Sequence, residues 1–124
     1  MYKRQIRDWL VEQRVTHAML VAALAEPAWS LEWPADTALR VMVTTAERVH
    51  SWPPVDTPFR VVMTYGTTET TNALTCLDLG AGLDLTSAAT PEQIRASRPV
   101  PVGRPIANVR AYICLLYTSP SPRD

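Results

Sequence analysis

The chain has 124 residues, 47% hydrophobic and 19% charged, enough for one buried core in a single domain or a piece of a larger one. Twelve basic against twelve acidic side chains leave no net field, which argues against nucleic acid or an anionic membrane surface as partner. Two cysteines, Cys76 and Cys114, are too few for a disulfide framework and point to a reducing compartment; no apolar run approaches the roughly 20 residues of a membrane span.

In chain order, a helix is predicted over Gln5–Gln13, with Ile6, Trp9, Leu10 and Gln13 on one face and Trp9 as its core anchor. Val15–Leu20 reads as a short buried strand, which periodicity alone does not separate from part of a longer buried helix. Ala18–Ala25 imitates the apolar part of a secretory leader, but Asp8, Glu12 and the amphipathic pattern before it argue for a cytoplasmic protein. Ala22–Trp29 reads as a short helix interrupted at Pro27, with Pro34 closing the segment after Trp33. Leu39–Thr44 is β-branched and apolar, a second strand, and runs into Thr45-Ala46-Glu47. Three prolines make Ser51–Pro58 a connection, and Phe59–Met63 is the third strand.

Strand-like segments alternating with helical or irregular ones imply a parallel sheet with crossovers, hence an α/β fold. Two successive strands ending in polar loops place Thr45–Glu47 and Tyr65–Thr71 side by side at one rim. Further on, Asn72–Leu77 extends into another strand, Gly80–Gly82 is a turn, and Thr90–Arg95 has the grammar of a helix start. Pro99–Pro105 is too proline-rich for regular structure, whereas Val109–Ile113 alternates as a strand does. Thr118–Pro122 reads as a low-complexity tail. His17 and His50 read as structural histidines, with no Cys or His at metal-ligand spacing.

Chemistry concentrates at Tyr65-Gly66-Thr67-Thr68-Glu69-Thr70-Thr71, directly after the third strand. Open α/β sheets bind ligands beyond the carboxyl ends of their strands. Backbone N–H groups and threonine hydroxyls suit phosphate oxygens, and a lone carboxylate among them suits the accompanying cation. A plain turn explains the same residues.

Val62–Thr71 resembles the Asn-x-Tyr-Gly-Pro-Thr-Glu loop of the adenylation domains of non-ribosomal peptide synthetases, which belong to the adenylate-forming AMP-dependent synthetases and ligases. Three more stretches resemble that family in order and spacing: Ile6–Thr16, Leu31–Thr44 and Pro101–Ile113. The resemblance covers residues 6–113 and implies a partial adenylation domain, part of the large N-terminal subdomain, with mostly parallel strands and crossover helices. Its chemistry is attack of an amino acid carboxylate on the α-phosphate of ATP with loss of pyrophosphate, then transfer of the acyl group to a carrier domain's phosphopantetheine thiol. ATP and Mg²⁺ are the implied cofactors, and the amino acid and the carrier domain the implied partners.

Position by position, the resemblance implies that Tyr65 packs on adenine with Gly66 beside it, that Thr68 contacts phosphate, and that Glu69 holds Mg²⁺. Thr68 and Glu69 are thus the implied catalytic pair. Ala46 and Glu47 would lie near the adenine, and Met19, Val43, Thr45, Thr64, Asn72 and Ala73 would line the acid pocket. Thr67 stands where the family has proline, Met63 where it has asparagine, and Thr45-Ala46 where it has two glycines. The family's phosphate loop, its ribose-binding aspartate and its C-terminal subdomain with the catalytic lysine have no counterpart in these residues. The expectation is therefore an internal piece that is inactive alone. Met1–Gln5 and Cys114–Asp124 resemble translated sequencing-adapter read-through. Two alternatives stay open: a piece of a stand-alone acyl or aryl acid ligase of the same superfamily, and a small non-enzymatic α/β domain.

Overall fold

The computed structural model describes residues 2–80 and 100–113. The turn at Gly80–Gly82, the helix start at Thr90–Arg95 and the Thr118–Pro122 tail lie outside them, wholly or in part. Within them, two α-helices and five strands follow in order: α1 (Tyr2–Glu12), β1 (His17–Val21), α2 (Ala22–Trp29), β2 (Val41–Thr45), β3 (Arg60–Tyr65), β4 (Thr75–Asp78) and β5 (Arg104–Pro105), with a short 3-10 turn at Thr68–Thr70 between β3 and β4.

The strands form one sheet in the order β1-β2-β3-β4-β5. The first three are parallel, with Met19 beside Val43 and Val43 beside Val62. Only β4 is reversed; it pairs antiparallel to β3 with Tyr65 opposite Thr75, and β5 pairs antiparallel to β4. The sheet is therefore mixed, with four of its five strands running one way. Helix α2 supplies the β1–β2 crossover, while the connection from β2 to β3 is irregular and proline-bearing.

Alternation along the strands sorts the sheet into two faces. The inner face carries Met42, Thr44, Val61, Met63 and Leu77, buried under α2 through Ala22, Ala25, Ala28 and Trp29. Leu39, Val49, Phe59 and Val100 complete this core from the loops, and Trp33 meets Phe59 edge-on at 4.8 Å. The outer face is half-covered or open, with Met19 62% and Val21 39% exposed.

Five expectations are corrected. Trp9 is 57% exposed; the buried residue of α1 is Leu10, because among the described elements α1 packs against α2 alone and needs only a narrow apolar stripe. The β1 segment is not buried, because it lies at the sheet edge with one face open. Helix α2 is not interrupted but continues through Pro27, losing at most the bond to the Ala23 carbonyl near its end. Arg104–Pro105 does form regular structure: as the edge strand β5 it tolerates a proline, whose missing N–H costs nothing on the open side. Val109–Ile113 forms no strand; Tyr112 is exposed and Ile113 almost fully so, with no strand beside them among the described residues.

Candidate functional site

Parallel pairing of β2 with β3 brings their carboxyl ends to the same rim, so the loops that follow face one another. Between them lies a cleft of about 580 Å³ lined by Thr45, Ala46, Gly66, Thr67, Thr68, Glu69, Thr71 and Asn72. A second, more apolar cleft of about 430 Å³ is bounded by Glu47, Arg48, Val49, Met63, Thr64, Tyr65 and Val100–Val102. Tyr65, 49% exposed, ends β3 and lines the second cleft, while its neighbour Gly66 lines the first. A groove of similar size between Trp29–Trp33 and Pro54–Pro58 contains none of the candidate residues.

The Tyr65 loop is built from its own hydrogen bonds. Thr67 opens a short 3-10 turn, Thr68–Thr70, through a reciprocal cap: the Thr67 side chain takes the Thr70 N–H, and the Thr67 N–H donates to the Thr70 hydroxyl at 2.9 Å. The same Thr70 hydroxyl donates to the Thr67 carbonyl at 2.9 Å. Asn72 N–H bonds the Thr67 carbonyl at 3.1 Å and Leu74 N–H bonds the Tyr65 carbonyl at 2.7 Å, which closes the loop onto its strand. Thr71 and Asn72 both take positive φ, +59° and +78°, to make the reversal. Gly66 is required by close approach: a Cβ there would meet the Asn72 carbonyl oxygen at 2.5 Å.

This arrangement sets the chemistry of the tip. The hydroxyl of Thr70 is consumed by the loop, whereas the Thr68 hydroxyl has no hydrogen-bond partner among the described residues and lies at the cleft; the Thr68 carbonyl accepts from the Thr71 N–H at 3.2 Å. Glu69 is exposed, and its own backbone N–H and the Thr67 hydroxyl hold its carboxyl below the usual range. It is an available anion at neutral pH, suited to a hard cation that keeps several waters and bridges to phosphate. Among the described residues no group of three or more His, Cys, Asp or Glu gathers, so a cation here would rely on this carboxylate and on ligand oxygens.

The opposite loop carries strain. Ala46 sits at φ +76°, the left-handed region where a Cβ is disfavoured. It is the position at which the resemblance expects glycine, and the backbone takes the glycine-like conformation although the residue is alanine.

Of the implied acid-pocket residues, Met19 and Val43 are register partners on the outer face, and Thr45 and Thr64 follow on that face toward the rim. Asn72 lines the first cleft, Thr64 the second, and Met19, Val43 and Ala73 line neither. The Thr64 hydroxyl lies 3.5 Å from the Thr44 carbonyl. His17 Nδ1 lies 3.0 Å from the Thr16 hydroxyl, and His50 is an exposed ring whose Nδ1 lies 3.5 Å from Glu26. Two features escaped the sequence reading. The Thr67–Thr70 cap has a legible signal, two hydroxyl residues three apart after a strand; Glu26 has none, because its partners are twenty-four residues away.

No family model matches the chain. It is 37% identical over 118 residues to one of the linear gramicidin synthase proteins of Brevibacillus parabrevis, across 95% of this chain, and it spans 2% of that protein's length. Among solved structures it is similar to the non-ribosomal peptide synthetase FmoA3 (TM-score 0.56, 20% identity, 86% of this chain, 11% of that one) and to its α-methyl-L-serine-AMP-bound form (TM-score 0.53, 24% identity, 86% and 12%). It is similar also to NpsA-ThdA of Klebsiella oxytoca, an artificially fused adenylation–PCP di-domain (TM-score 0.55, 18% identity, 82% and 19%). No helix among the described residues is long and apolar enough to cross a membrane.

Proposed function

We propose, taking as premise that the chain is a piece of a non-ribosomal peptide synthetase adenylation domain, that its rim is one wall of a site that activates an amino acid with ATP. The observation that carries this reading is the cleft between Thr45–Ala46 and Gly66–Glu69, with an unengaged hydroxyl at Thr68 and an ionised carboxylate at Glu69 at its mouth.

In this reading the acid's carboxylate oxygen attacks the α-phosphorus, the bond to pyrophosphate breaks, and an aminoacyl-adenylate remains for a carrier thiol to take. Bringing two anions together needs charge offset at the phosphate. Glu69 would hold Mg²⁺, which supplies that offset. Thr68 donates its hydroxyl to a phosphate oxygen, held in place by the cap one residue before it. Tyr65 offers its ring to the adenine, with Gly66 giving the backbone clearance and Ala46–Glu47 approaching from across the rim. Met19, Val43, Thr45, Thr64, Asn72 and Ala73 would contribute the part of the acid pocket that this chain contains.

ATP–pyrophosphate exchange by the full-length protein over a panel of amino and aryl acids is the test. Acid-dependent exchange is expected; none with any acid would overturn the reading. A downstream domain carrying a phosphopantetheine serine would mark a synthetase rather than a stand-alone ligase.

A further inference from the structure

The β2–β3 connection brings Ala46 and Glu47 to the rim, yet among the described residues no backbone–backbone hydrogen bond engages residues 46–51. Two of their backbone donors, at His50 and Ser51, go to a side chain on α2. One oxygen of Glu26, on α2, accepts from the His50 N–H at 2.9 Å; the other accepts from the Ser51 N–H at 3.0 Å and the Ser51 hydroxyl at 2.6 Å. The Glu26 side chain is only 17% exposed, and its helix is fixed to the core through Ala22, Ala25, Ala28 and Trp29. A partly buried carboxylate that receives three donors is an anchor, because each is a charge-assisted bond and the three converge on one group. Val49, 2% exposed, is the other point where this segment is gripped. Between the end of β2 and these two anchors lies Ala46, in a conformation that persists only where its surroundings impose it.

We propose that Glu26 is a positioning residue: it tethers the β2–β3 connection at His50 and Ser51 and so holds Ala46 and Glu47 in the conformation that faces the nucleotide. The nucleotide's place in this statement rests on the proposed function; the tether does not.

Two readouts in the full-length protein separate these. In amide hydrogen exchange, Glu26→Ala is expected to speed exchange at His50 and Ser51 about tenfold or more while β2 and β3 keep their protection. Glu26→Gln, which keeps the length and one carbonyl acceptor, falls between and is read alone if the alanine variant does not fold. Unchanged exchange at His50 and Ser51 overturns the tether, and so does protection lost equally through β2 and β3. In pyrophosphate exchange, the same variants raise KM for ATP by about tenfold with kcat within about twofold. Adding Ala46→Gly restores most of that loss, since glycine takes positive φ without being held there. An equal fall in kcat, or no recovery with glycine, overturns the positioning role. If the unaltered protein exchanges no pyrophosphate, the proposed function has failed, and hydrogen exchange still decides the tether.

Discussion

The two loops that meet at the rim are ordered by opposite means. Tyr65–Leu74 holds itself: its cap, its reversal at Thr71 and Asn72, and its closure on Tyr65 are all made within ten residues. The 46–51 segment is held from outside, by a carboxylate on a helix twenty residues earlier and by one buried valine. A self-capped loop keeps its shape when its neighbours move. A tethered loop keeps its shape only while α2 stays seated, so it can shift with α2 as a unit.

The contrast can be broken at the self-held side first. Glu69→Gln removes the one charge at the tip without altering the cap, and pyrophosphate exchange should fall on the order of 100-fold, partly recovered at high Mg²⁺. Activity near that of the unaltered protein would deny the loop its chemical part. Gly66→Ala forces a Cβ against the Asn72 carbonyl and should cost about 2–3 kcal/mol of stability, visible in the thermal midpoint. A midpoint shifted by less than about one degree would mean that this loop yields easily after all.

Finer tests compare the loops directly. Thr70→Val deletes the hydroxyl at the centre of the cap and should cost about 1 kcal/mol, with exchange at the Thr67 amide accelerated and that at His50 and Ser51 unchanged. Loosening of both segments together would erase the distinction. The smallest effect is expected from acid. Burial opposes ionisation of Glu26, but the Ser51 hydroxyl, the His50 and Ser51 N–H groups and the His50 ring outweigh it and hold its pKa below the ordinary 4.5. A depressed folded value means that the tether's contribution is complete above pH 4.5 and is lost as pH falls through that lower value. His50 and Ser51 should therefore lose protection only as pH falls below 4.5, while the Thr67–Thr70 cap, whose own bonds join amides and hydroxyls, holds. Equal loss at both would count against the tether.

What the sequence made legible follows from how local each feature is. Val41–Thr45 and Arg60–Tyr65 stand out because apolar, β-branched runs followed by polar loops leave few other readings, and their parallel pairing follows from the connections around them. Reversal at β4 was not legible, because pairing direction is set by the tight closure of the loop before it. Nor was β5, whose two residues are recognisable as a strand only by what they pair with. Trp9 misled because periodicity gives a face but not the width of what covers it. At the rim, the Tyr65 loop announced itself by composition, whereas Glu26 looks like any helix-surface acid until the distant segment that it holds is folded against it.

The outer face of the sheet, with Met19 and Val21 open and Val43 and Val62 half-covered, also bears four of the six residues assigned to the acid pocket. On that assignment, changing which acid fits means changing a surface that also sets how this chain behaves in water. A larger apolar substrate calls for smaller residues there and leaves the face less sticky; a polar substrate calls for hydroxyls and does the same by another route. Selectivity and solubility are then tuned by the same few positions, and a library screened for one will have been screened, unasked, for the other.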